Sequence, residues 1–329
     1  RQPMRRLLLA LLTVFLLMPS ANALPPVDVS ENQGILGGYS LDLSGNMTDG
    51  SAGGTFEAGP AIVEVYTATW CINCVDAEHA LMDVVGEMIN DHDEDVTILA
   101  HHRFIGESED PFGTQAGDDR WNEFYGSTSN ESVGMQRAPP TIIFHGNQMK
   151  VGSTPDGENL EADYNAMLHD NWHDYTNSDF NSEFTWTGNN STGVLDWKMD
   201  VAMEGVEVED RRFPSTLIWT HRLMVVEHSA HFPEGSNGLE YYEDVVRDVV
   251  DLEAAIQDDG LAVGGSVELQ LPAAWDGDDL SLVLVHEWVM PEIVEPEPEP
   301  VDDEERGLPG FLAPLGLIAL GAAALARRD

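Results

Sequence analysis

The feature that most restricts this chain is its pair of cysteines, the only two it has, placed where a strand pattern gives way to a helix pattern. Ala61–Tyr66 is a run of apolar and β-branched residues that reads as a strand, and Thr67–Trp70 reads as a short turn. Beyond the turn, Cys74, Ala77, Leu81, Val84 and Met88 recur at helical spacing and mark one apolar face. Cys71-Ile72-Asn73-Cys74 therefore opens a helix. Unpaired backbone N–H groups and the positive end of the helix dipole at that point favour thiolate over thiol at Cys71. Cys74, three residues on, shares the helix face and can attack a mixed disulfide formed at Cys71. Other chemistries use the same residues. A CxxC is half of a zinc site, although the chain holds no second one. Two thiolates with His101 or His102, which end the next predicted strand, make a soft site of the kind copper takes. Two cysteines in an exported chain are also commonly a plain structural disulfide.

The segments around the cysteines follow a fixed order. Val96–Ala100 reads as a central strand and Asp118–Tyr125 as a short helix. Pro139-Pro140-Thr141-Ile142-Ile143-Phe144 leads into the turn His145-Gly146-Asn147 and a second short strand, Gln148–Val151. Leu160, Tyr164, Met167 and Leu168 give a closing helix. Trp70-Cys71-Ile72-Asn73-Cys74 after a buried strand resembles the active site of the thioredoxin superfamily, and Pro139-Pro140-Thr141 resembles that family's cis-proline loop. The insert around Asp110-Pro111-Phe112-Gly113 is similar to those of exported, cell-surface members. The resemblance covers residues 58–172 and implies roles: Cys71 as attacking thiol, Cys74 as resolving thiol, Pro140 as the cis-proline. Trp70, Pro139 and Thr141 would edge a substrate groove. One departure stands out. Aligned on Cys71, Val65 falls where many family members keep a buried acid, and the adjacent Glu64 should face the other side of the sheet.

From Phe180 onward the pattern is of strands alone. Phe184–Thr187, Val194–Met203, Ser215–Val226, Tyr241–Val250, Ser266–Leu271 and Leu280–Trp288 are apolar or alternating runs separated by glycine-bearing turns. The expected fold class is thus an α/β thioredoxin fold followed by an all-β sandwich-like domain at residues 173–291. His221, His228 and His231 are loosely spaced in that second part, and a metal site is not predicted there. Residues 24–57, rich in Gly and Asn, read as a lead-in or an edge strand.

Both ends read as addressing devices. Arg5 and Arg6 precede the apolar run Leu7–Met18, and Ala21-Asn22-Ala23 offers small residues for cleavage, so residues 1–23 are expected to be a signal peptide. Glu295-Pro296-Glu297-Pro298-Glu299-Pro300 and the acids after it predict an extended, self-repelling spacer over 292–306. Pro309-Gly310-Phe311, an apolar stretch and Arg327-Arg328 resemble the PGF-type C-terminal sorting signals of archaeal surface proteins. Residues 307–329 are therefore expected to anchor the protein to the membrane, by that route or as a plain membrane helix.

Charge narrows the partners. Fifty-nine acids against fifteen Lys and Arg give a formal net charge of -44. Such a surface repels phosphate backbones, so nucleic acid is excluded as a partner. The expectation is a membrane-tethered, extracytoplasmic thiol-disulfide oxidoreductase needing no cofactor and no metal. Its partners would be exported protein thiols or disulfides and an unidentified redox partner. The alternatives are a copper or other metal chaperone and a non-catalytic surface interaction protein.

Overall fold

The computed structural model describes residues 23–29, 33–45, 48–92, 95–104, 110–169, 180–201, 218–257 and 262–290. The expected signal segment up to residue 22, the Pro-Glu spacer and the C-terminal anchor lie outside the described residues. Among the described residues no helix is long and apolar enough to cross a membrane.

In chain order the first strands are β1 (Val27–Asp28), β2 (Gln33–Asp42), β3 (Asp49–Thr55), β4 (Ala61–Thr67) and β5 (Val96–His102). β6 (Thr141–Phe144) and β7 (Gln148–Val151) form a hairpin. The later strands are β8 (Phe180–Gly188), β9 (Thr192–Val201), β10 (Ile218–His231) and β11 (Tyr241–Asp251). β12 (Ala255–Gln257), β13 (Ala262–Gln270) and β14 (Leu280–Val289) complete the set. The helices are α1 (Ile72–Glu87), α2 (Gln115–Phe124), α3 (Gly126–Val133) and α4 (Leu160–His169).

These strands build two sheets, one of nine strands in the order β1-β7-β6-β4-β5-β11-β10-β14-β2 and one of five in the order β12-β13-β9-β8-β3. The expected fold class, an α/β thioredoxin fold followed by an all-β sandwich-like domain, is corrected by this topology. The described residues are mostly β, with fourteen strands and only four α-helices. They fall in one compact unit that runs through the expected boundary at residue 172. β5 does not finish a small α/β sheet. Its outer edge takes β11 in parallel, at Val245↔Ala100, and β10, β14 and β2 follow. Each of the six strand runs read in the second half holds a strand among the described residues, but three of these strands extend the first sheet while the other three belong to the second. The physical reason for the miss is that period-2 alternation marks a strand without marking its neighbour.

The Gly-rich lead-in divides as well. β1 closes one edge beside β7, β2 closes the other beside β14, and β3 joins the smaller sheet. Its glycines answer to close packing: a Cβ at Gly38 would sit 2.4 Å from the carbonyl oxygen of Leu284.

Alternation assigns the faces. Ala61, Val63 and Val65 of β4 pack under Ala77, Leu81 and Val84 of α1 and Tyr164, Met167 and Leu168 of α4. Ile62, on the opposite face, joins Leu99, Met224, Val226, Val283 and Val285. Leu223, Val225, Leu282 and Leu284 meet Phe184, Trp186, Leu195 and Trp197 of the smaller sheet. β10 is therefore buried on both faces, and its central residues form a continuous apolar run.

Candidate functional site

β4 delivers the chain to the turn Ala68-Thr69-Trp70, and α1 starts immediately after Cys71, its N-cap. The turn is closed by the Cys71 N–H donating to Ala68 O at 3.0 Å and the Cys74 N–H to Cys71 O at 3.2 Å. Cys71 and Cys74 are joined as a disulfide with an S–S length of 2.07 Å. Cys71 keeps 5% of its surface exposed and Cys74 none, so Cys71 is the less buried of the two. Ile72, between them, is 68% exposed and puts an apolar side chain into solvent beside the pair. Trp70 packs against both cysteines.

The proline segment lies alongside. Thr141 pairs with Tyr66 in the β4–β6 ladder, and continuing that register places Pro140 opposite Thr67, at the mouth of the cysteine turn. The Pro139–Pro140 peptide bond is cis. Pro140 O accepts from the Gly152 N–H at 2.8 Å, and the Thr141 hydroxyl donates to Ala138 O at 2.6 Å.

Two groups to which the sequence pattern assigned no role fix the turn. The Thr69 N–H donates to Asp110 Oδ2 at 2.9 Å, and the other face of Thr69 accepts the Asn237 N–H at 3.1 Å. Asp110 also lies 3.0 Å from His102 Nδ1. Asn237, in the β10–β11 connection, is itself held by the Tyr242 hydroxyl at 2.8 Å. The second half of the chain thus supplies part of the cysteine site.

The histidines do not gather around the sulfurs. His101 points to the other side of the sheet, stacked on Tyr66 at 4.9 Å and 3.3 Å from Glu64. His102 faces the α1 side, with its Nδ1 engaged by Asp110. In the later strands His221 and His286 stand opposite each other with their Nδ1 atoms 2.8 Å apart, and His286 Nε2 lies 2.6 Å from the Ser182 hydroxyl. His228 contacts Ser281 and Asp244, and His231 stacks on Tyr241, so the three loosely spaced histidines stay separate. Among the described residues no three His, Cys, Asp or Glu side chains are grouped to hold a metal ion.

Glu64 does face away from the cysteines, as alternation requires, and it anchors a buried network. Its carboxylate accepts from Arg120 at 2.6 and 2.8 Å, from the Tyr125 hydroxyl at 2.6 Å and from the Tyr66 hydroxyl at 3.0 Å. Burial by itself would raise this carboxyl, but the Arg120 guanidinium and His101 outweigh it and hold Glu64 far below the usual carboxylate range. Arg120 also pairs with Glu287, which pairs in turn with Arg222. The signal that could have flagged this network is scarcity: in a chain with fifteen Lys and Arg, a cation inside the short helix predicted at Asp118–Tyr125 is a candidate partner for an internal anion.

No family model matches the chain, and no curated protein matches it. Among solved structures, it is similar to HBP35 of Porphyromonas gingivalis, with 16% identity, TM-score 0.44 and 68% of each chain covered. It is also similar to a structural-genomics protein of Agrobacterium tumefaciens, with 14% identity and TM-score 0.36, over 72% of this chain and 97% of that one. Likeness at this level defines neither fold nor function.

Proposed function

We propose that the protein is a thiol-disulfide oxidoreductase acting on the thiols or disulfides of exported proteins. The observation that carries the reading is the Cys71–Cys74 disulfide at the first turn of α1, with Cys71 the less buried residue and Cys74 wholly enclosed. A client thiolate attacks Cys71 Sγ, the Cys71–Cys74 bond breaks, and its electron pair leaves on Cys74. A second client thiolate then attacks the client sulfur of the mixed disulfide and releases Cys71. The client loses two electrons, and the cysteine pair gains them with two protons. The reverse sequence reduces a client disulfide. The N-terminus of α1 stabilises Cys71 as the thiolate leaving group or nucleophile. The resemblance assigns Trp70, Pro139 and Thr141 to a substrate groove beside the exchanged sulfur, with Pro140 as its cis-proline. The resemblance of these residues to thioredoxin-superfamily centres supports the reading at the level of the site. The signal-like start, Pro-Glu spacer and apolar tail support export with tethering at the membrane.

The test is turnover of insulin disulfides or of scrambled ribonuclease by the whole protein, beside Cys71→Ser and Cys74→Ser. Activity abolished by Cys71→Ser, with mixed disulfides accumulating in Cys74→Ser, is the expected result. A wild-type protein inert in both assays would sink the proposal.

A further inference from the structure

Disulfide exchange at a buried sulfur has a proton problem. Cys74 has no exposed surface, and each cycle must protonate or deprotonate its sulfur. The position beneath the cysteines is apolar, because Val65 packs into the core under α1. Glu64 cannot serve, since it lies on the opposite face and Arg120 keeps it ionised. A second acid is on the correct side.

Glu78 follows Cys74 by four residues in α1, and side chains at that spacing are neighbours on one helix face, with Cβ atoms roughly 5–6 Å apart. Its carboxyl accepts a hydrogen bond from the Thr67 hydroxyl, on the last residue of β4. It lines a cavity of about 140 Å³ between α1, β5 and β11, together with Thr67, Met82, His102 and Tyr242. A space of that size accepts several waters, and Glu78, Thr67, His102 and Tyr242 supply polar partners for them. Burial raises the Glu78 carboxyl above its ordinary value, against the opposing effects of the Thr67 hydroxyl, His102 and His79. The other groups facing it are the Tyr242 hydroxyl and, across the cavity, Glu243 and Asp244 of β11.

We infer that Glu78 carries the proton of Cys74, exchanging it with water in the cavity between α1 and β11. The inference rests on the redox reading above and names the proton path that reading needs. When the pair reduces a client, Cys74 passes its thiol proton to the Glu78 carboxylate and attacks Cys71 Sγ. The Cys71–Cys74 bond forms, and the client sulfur leaves with the electron pair. In the reverse direction Glu78 returns the proton to Cys74 as its sulfur is released.

The experiment uses the reduced whole protein and dithiobis(nitrobenzoate), which releases one thionitrobenzoate when Cys71 attacks and a second when Cys74 resolves the mixed disulfide. Glu78→Gln keeps the shape and a partner for Thr67. It should leave the first release unchanged and slow the second by about 100-fold at neutral pH, the scale of a lost general acid or base. The second phase should also lose its carboxyl inflexion with pH, and Glu78→Asp should restore part of the rate. A separate readout needs no turnover: in Cys71→Ser, the ultraviolet absorbance of the Cys74 thiolate should titrate at lower pH once Glu78→Gln removes the neighbouring charge. Unchanged second-phase rate and profile, equal slowing of both phases, or an unmoved Cys74 titration would each overturn the inference. A wild-type protein that releases no thionitrobenzoate would instead bring down the redox reading, and this inference with it.

Discussion

The Thr69 carbonyl accepts the Asn237 N–H at 3.1 Å, so the β10–β11 connection holds the turn that presents Cys71. The Thr69 N–H is taken on the other side by Asp110 at 2.9 Å. With both backbone groups of Thr69 taken, the turn is held in one geometry. The two clamps also come from segments far apart in the chain, which makes the cysteine site a property of the whole sheet.

That dependence can be measured with a chain cut after residue 172. It would leave β5 without β11 along its edge, and Thr69 without Asn237. An unpaired central edge with buried apolar faces aggregates or stays open. The cut chain should show no cooperative unfolding transition and rapid proteolysis throughout. A soluble fragment that unfolds cooperatively would show that β10, β11 and β14 are dispensable to the site.

The unequal burial of the sulfurs predicts unequal chemistry. In reduced protein, limited alkylation followed by peptide mapping should label Cys71 well before Cys74, because Cys71 is the less buried of the two and sits at the helix start. Preferential labelling of Cys74 would reverse the assigned roles.

Arg120 should matter out of proportion to its distance from the sulfurs. Replacing it with Met leaves the Glu64 and Glu287 carboxylates buried with one partner fewer each, and breaking such a pair costs about 3–5 kcal/mol. Combining Arg120→Met with Glu64→Gln should recover part of that loss, since the stranded charge is then gone. Denaturant midpoints of the single and double variants decide the matter. A loss in the double variant equal to the sum of the Arg120→Met and Glu64→Gln losses would show that Glu64 and Arg120 are not energetically coupled.

What could be read from the sequence was local. The strand into the cysteines, the α1 face, the Pro139-Pro140 segment and all six later strand runs rest on periodicity and turn chemistry within a few residues. What escaped was pairing over distance. Tyr241–Asp251 carries the same alternation whether its neighbour is β10 alone or β10 and β5 together, and one register pair, Val245↔Ala100, decides the architecture. Asn237 gave no sign either, because its backbone and not its side chain reaches Thr69. Glu78 was within reach: an acid four residues after Cys74, on the face that buries Ala77 and Leu81, could have been weighed once Val65 was seen to lack a carboxyl.

The histidine pair His221–His286 sets the last prediction, a loss of stability in mild acid. Both rings are buried, their Nδ1 atoms 2.8 Å apart, close enough for one neutral ring to donate to the other. Burial lowers the His221 imidazole to about 4 and His286 well below the ordinary value, with His221 further disfavouring a charge on His286. In the unfolded chain both titrate near about 6.5. The folded values are the lower ones, so the unfolded state binds more protons below that pH and unfolding becomes easier as pH falls. The stabilisation is complete above about 6.5, declines through the window down to about 4, and changes by up to about 1.4 kcal/mol per pH unit for each ring. His221→Asn keeps a donor toward His286 while removing one titrating group. Its unfolding free energy should therefore fall less steeply than wild type between those two pH values, whatever its absolute stability. Equal slopes in the two proteins would mean that His221 takes up its proton without unfolding, and that the pair is not held neutral by burial.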